Sequence, residues 1–83
     1  MKRHNWKIIV SNLAEAREEI ARLEKAISEK EISREEFEIG LRHAFHHLNF
    51  AWNIRHVPTK RYEHLTQEDF EAWGRHPEEM NQI

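Results

Sequence analysis

The sequence predicts an all-α protein built on a long antiparallel helical hairpin, with helices over about 6–29 and 34–56 and a short third helix over about 67–73. Three observations carry this prediction. Helix breakers are scarce, with two Gly and two Pro among 83 residues, and 34% of the chain is charged, a composition that favours long helices. From Trp6 onward the apolar residues recur at heptad spacing. Two helix-start signatures, at Ser33 and at Thr66, divide the rest of the chain.

In the first helix, Trp6, Ile9, Leu13, Ala16, Ile20, Leu23 and Ile27 follow one another at alternating steps of three and four, a heptad seam. The opposite face is polar, with Glu18 four residues before Arg22 for a favourable pair. At the helical rise this segment is roughly 36 Å long. The β-branched run Ile8-Ile9-Val10 weakens the first turn. Ser11-Asn12 is an alternative cap that would leave residues 6–10 as an extended arm.

Ser33-Arg34-Glu35-Glu36 reads as a capping box, and Ile32 before it can staple onto Phe37. The second helix then runs to about His56, where Val57-Pro58 disfavours continuation. A short link over about 30–32 folds the two arms antiparallel. Thr66-Gln67-Glu68-Asp69 is a second box, with Leu65 and Phe70 as its staple pair. Gly74 suits the end of that helix, and Pro77 suits the first position of a last turn.

On a helical wheel the second helix is apolar on two sides. Phe37, Leu41, Ala44, Phe45, Leu48, Ala51 and Trp52 form a stripe assigned to the first helix. Ile39, His43, His47, Phe50 and Ile54 form another, assigned to an interface. Glu38, Arg42, Asn49 and Asn53 make the wet face. A helix apolar on two sides needs two partners. A single domain spanning 1–83 is also marginal alone. The first helix is one of those partners, and the short third helix, with Phe70 and Trp73, or a second subunit is the other. A homodimer or higher oligomer closing a four-helix bundle is the simplest solution, and a protein partner is also to be considered.

Composition narrows the chemistry. There is no Cys, which excludes disulfides and thiolate metal sites. The net charge of −2 with His neutral supplies no general drive toward nucleic acid or membrane, and seven His would make it positive in mild acid. No apolar run approaches a membrane span or a signal peptide, so no membrane partner and a cytoplasmic location are expected.

Three constellations are candidates for more than assembly. His43 and His47 stand one helical turn apart and can present two imidazoles to one divalent metal; the alternative is a hydrogen-bonded interface pair. Lys2, Arg3 and Lys7 start the first helix, and Arg55, Lys60 and Arg61 lie at and beyond the end of the second. An antiparallel hairpin brings both groups to one end, beside Trp and Tyr residues, a pattern suited to phosphates and bases. Finally, Arg42-His43-Ala44-Phe45-His46-His47 resembles the short Arg-to-His motif of HEPN-type helical ribonucleases. That resemblance covers six residues of one helix. It implies a dimeric bundle whose paired motifs line an RNA cleft, with Arg42 and His47 as the working residues. The chain is shorter than such domains usually are, and the wheel sets Arg42 well apart from His47. Ser and Thr residues lack the Gly-rich elbow of a nucleophile, so no catalytic residue is assigned. The expected function is a self-associating interaction module. The alternatives are an RNA-binding or reduced HEPN-like protein and a His-based metal-dependent regulator.

Overall fold

Asn5 decides where the first helix begins. Its side-chain oxygen accepts a hydrogen bond from the Ile8 N–H, satisfying one of the amides that a helix start leaves without a partner. Ser11 and Asn12 are therefore interior to the helix, and residues 6–10 are helical rather than an arm. The computed structural model describes residues 5–82. In it, α1 (Trp6–Ser28) and α2 (Arg34–Asn53) form the hairpin. They are followed by α3 (Thr59–Glu63), α4 (Gln67–Trp73) and a 3-10 turn over Glu78–Gln82. The described chain measures 48 × 27 × 26 Å.

The turn of the hairpin is a complete Schellman motif. The Glu31 N–H donates to the Ala26 carbonyl at 2.9 Å and the Lys30 N–H to that of Ile27 at 3.0 Å. Lys30 sits at φ 57°, the left-handed region that glycine normally fills. Ser33 then caps α2 through the Glu36 N–H. The Glu36 carboxylate accepts from the Ser33 hydroxyl rather than reaching its backbone N–H.

The packing between α1 and α2 differs from the wheel assignment. Buried positions on α1 are Ile9, Asn12, Ala16 and Leu23; on α2 they are Gly40, Ala44, Phe50 and Ala51. Small side chains hold the middle of this seam because they let the helix backbones approach. A methyl group at Gly40 would lie 2.6 Å from Leu23 Cδ2. Phe45, Leu48 and Phe37 are too bulky for that middle and are displaced to one flank, where they are exposed. Arg22 pairs with Glu19 at 2.9 Å, not with Glu18, because Glu19 lies at the seam edge beside Gly40.

α2 ends at Asn53, three residues before the sequence expectation. Its last carbonyls are taken from outside the helix. Arg55 Nη1 donates to the Trp52 carbonyl at 2.7 Å, and the Arg55 carbonyl accepts from the Asn5 N–H at 3.2 Å. The backbone then enters α3 directly after Pro58, a five-residue helix too short to show a sequence period. Ile9, Phe50, Ala51 and Ile54 form the core at this end, with Ile8, Val57, Tyr62 and Trp73 packed on it.

α4 crosses α2 near the core. Thr66 and Asp69 satisfy each other's backbone N–H in a full capping box, and Arg61 pairs with Asp69. Asn49 and Asn53, read from the wheel as wet, instead dock the end of α4. Asn49 Nδ2 donates to the Gly74 carbonyl at 2.9 Å, and Asn53 Nδ2 to the Trp73 and Arg75 carbonyls, each at 2.8 Å. These are the carbonyls that a helix C-terminus leaves without internal partners. Gly74 has an ordinary right-handed φ of −82°. What it accommodates is the His46 ring, 2.8 Å from where a Cβ would stand.

Candidate functional site

The five residues assigned to an interface from the wheel separate in the structure. Phe50 and Ile54 are 3% and 0% exposed and belong to the chain's own core, so neither is available to a partner. His47 turns to α1, where its Nδ1 lies 2.9 Å from Asn12 Oδ1. His43 Nδ1 lies 3.8 Å from the Glu19 carboxylate. Only Ile39 is a largely exposed apolar side chain, at 64%.

The exposed apolar surface is on the other flank. On α1 the heptad stripe splits: Ile9, Ala16 and Leu23 turn to α2, while Leu13, Ile20 and Ile27, with Trp6 and Val10, face water. These members of the outer row are seven residues apart, so they keep to one side of the helix along its length. Phe45 and Leu48 of α2 lie across from them. Trp6, Leu13, Phe45, Leu48 and Trp52 line one groove of about 480 Å³, closed at its end by His76 and Met80. Sequence reasoning placed Trp6, Leu13, Ile20, Ile27, Phe45, Leu48 and Trp52 in a helix–helix seam and missed that half of the stripe is left over; Val10, His76 and Met80 were not assigned to it. No local signal marks this, since a two-row heptad stripe is what a single neighbouring helix ordinarily covers; the close approach of α2 at Gly40 and Ala44 decides which row turns inward.

The histidine cluster occupies the opposite flank. Arg42, His43, His46, His47 and Phe70 line an open depression there. His43 and His47 Nε2 are 3.1 Å apart. Asn12 Nδ2 donates to the Ile8 carbonyl at 3.0 Å, which turns its oxygen toward His47. Burial holds His47 below the usual histidine range, with the charge of His43 adding to the effect and Glu15 opposing it. His46 is lowered by burial first, then by His47 and His43. Asn12, the buried polar partner of His47, was not foreseen. Arg42 and His47 do come to one depression, although both nitrogens of His47 are already engaged. Among the described residues, no three His, Asp or Glu side chains converge on a point where one ion could touch them all.

Two of the six cations assigned to the basic end, Arg55 and Arg61, are paired within the chain. Arg55 stacks over Trp52 at 4.0 Å and reaches the Glu79 carboxylate at 3.4 Å, while Trp52 Nε1 donates to the same carboxylate at 2.6 Å. Arg61 pairs with Asp69 and lies 5.5 Å from the Trp73 ring. Lys7 and Lys60 are exposed; Lys2 and Arg3 lie outside the described residues. The C-terminal segment thus supplies carboxylates to Arg55 and Arg61.

Among the described residues, no helix is long and apolar enough to cross a membrane. Compared with protein-family models, with curated proteins and with solved structures, the chain matches none.

Proposed function

We propose that this protein is a self-associating helical interaction module, working in the cytoplasm as a homodimer whose exposed apolar flanks close into a four-helix bundle. The observation that carries the reading is the row Leu13, Ile20 and Ile27 with Phe45 and Leu48, all at least 40% exposed. Together with Trp6 and Val10 this flank leaves several hundred square ångströms of apolar surface in water. That is comparable to the roughly 800 Å² per partner of a standard interface and at the upper limit of what monomers tolerate. A second copy is the occupant this surface suits. A two-helix flank pairing with itself buries both outer rows at once, as four-helix bundles do.

Charge selects the orientation. Arg17 and Glu24 lie beside Ile20, four residues C-terminal to Leu13 and to Ile20 respectively. An antiparallel pairing about a twofold axis near Ile20 sets Arg17 of each copy close to Glu24 of the other. The test is a charge swap read by light scattering. Arg17→Glu is expected to weaken the dimer by repulsion, and Arg17→Glu with Glu24→Arg to restore it. A wild-type mass that stays at one chain over a micromolar concentration series would defeat the reading. A dimer indifferent to the swap would defeat the orientation.

A further inference from the structure

The imidazoles of His43 and His47 meet through their Nε2 atoms, 3.1 Å apart, while the Nδ1 of each lies toward an oxygen of α1. Asn12 fixes the first ring. Because its Nδ2 is committed to the Ile8 carbonyl at 3.0 Å, its oxygen faces His47, and His47 must donate from Nδ1. A neutral His47 then carries a bare lone pair on Nε2. The second ring is biased the same way. His43 Nδ1 faces the Glu19 carboxylate at 3.8 Å. Arg22, bound to that carboxylate at 2.9 and 3.0 Å, keeps it ionised. At 3.8 Å this is an electrostatic bias rather than a hydrogen bond; it favours the tautomer with the proton on Nδ1, in which Nε2 carries a lone pair as well. In that tautomer two lone pairs converge at 3.1 Å and can share a cation; in the other, His43 Nε2–H donates to His47 and the site holds no ion.

The spacing fits such a cation. Two imidazole nitrogens bound at 2.0–2.1 Å to one ion, at tetrahedral or cis-octahedral angles, stand roughly 2.8–3.4 Å apart. Each outer nitrogen facing an oxygen on the neighbouring helix is the orienting shell that metal-bound histidines ordinarily have. We propose that His43 and His47 form a two-imidazole site for a divalent transition-metal ion of the zinc, nickel or copper class, oriented from α1 by Asn12 and Glu19 and completed by water. Neutral imidazole suits these ions. The depression is open, so solvent reaches the remaining coordination positions. Glu15 and Glu19 add favourable negative charge from α1. Arg42 on the rim opposes it. The site lies on the flank away from the apolar groove, so it stands or falls separately from the homodimer.

Calorimetric titration of zinc into the tag-free full chain near neutral pH tests the site. One saturable event is expected, lost in His43→Gln, weakened about tenfold or more in Glu19→Gln, and unchanged in His46→Gln. His43 is half exposed, so His43→Gln keeps the fold, which far-ultraviolet dichroism verifies. Copper electron paramagnetic resonance gives an independent readout: hyperfine coupling to two imidazole nitrogens in the wild type, and not in His43→Gln. Absence of saturable uptake would leave a hydrogen bond between the two rings as the whole of the contact. Uptake surviving His43→Gln would place the metal elsewhere. Either result overturns the proposal.

Discussion

The two flanks of the hairpin draw on the same kinds of residue and have opposite fates. On one, Phe50 gathers Phe70, Tyr62, Trp73 and His46 around it, with ring centroids 4.8–6.5 Å apart, and the C-terminal segment covers it. On the other, Phe45, Leu48, Leu13 and Ile20 stay in water. Hydrophobicity does not distinguish them. Hydrogen-bond donors do: Asn49 and Asn53 stand where they can satisfy the carbonyls at the end of α4, and a helix end buried without such partners is costly. A segment covers the flank that can accommodate its backbone. The occupant proposed for the uncovered flank, another helical hairpin, brings a backbone that is already satisfied.

The covered flank can be broken first. Phe50→Ala is expected to cost about 3–5 kcal/mol, read as a lower urea midpoint. A loss under about 1 kcal/mol would mean that the aromatic cluster is not the core. Asn53→Ala follows at about 1–3 kcal/mol, since two carbonyls lose their donor. Limited proteolysis should then cut first between α2 and α4. If cleavage is unchanged, the polar docking account of this flank is wrong.

The seam between the flanks gives subtler effects. Gly40→Ala in a free helix would gain about 1 kcal/mol. Here the methyl group meets buried Leu23, and overpacking costs about 1–3 kcal/mol, so thermal unfolding should show no gain and a net loss of about 1 kcal/mol. Acid acts on the covered side. His46 and His47 are held below their ordinary value of 6.5, so the unfolded chain binds more protons than the folded one as the pH falls. Stability should be level above about pH 6.5 and decline as the pH falls through that value toward the lowered pKa values. Denaturant midpoints across this range check the sign, and His46→Gln should flatten the profile. Smallest is a gain: Lys30→Gly relieves a left-handed residue and should stabilise by about 0.5–1 kcal/mol without changing either flank.

The helix boundaries were legible where the signal is local. Ser33 and Thr66 cap where the sequence places caps, and α4 spans the expected residues, because a cap is made by residues three apart. The seam was not legible. Ile9 and Leu13 are equally apolar and adjacent on the wheel. Which of them turns inward depends on how closely Gly40 and Ala44 let the other helix approach, a property of the pair. Asn12 and His47 are 35 residues apart and acquire meaning only once the seam is known. Of the candidate site residues, the approach of His43 to His47 followed from their one-turn spacing. The cover of Phe50 by α4, with Phe70 and Trp73, was one of two that the wheel allowed, a second subunit being the other; the wheel did not choose between them, because α3 and the path of the C-terminal segment leave no periodic trace.

Sedimentation equilibrium of the wild type beside Phe45→Glu bears most directly on the uncovered flank. The account predicts a wild-type mass at micromolar concentration of twice the 10.1 kDa chain and a helical monomer for Phe45→Glu. A wild-type chain that stays monomeric, or a Phe45→Glu chain that stays dimeric, would contradict it.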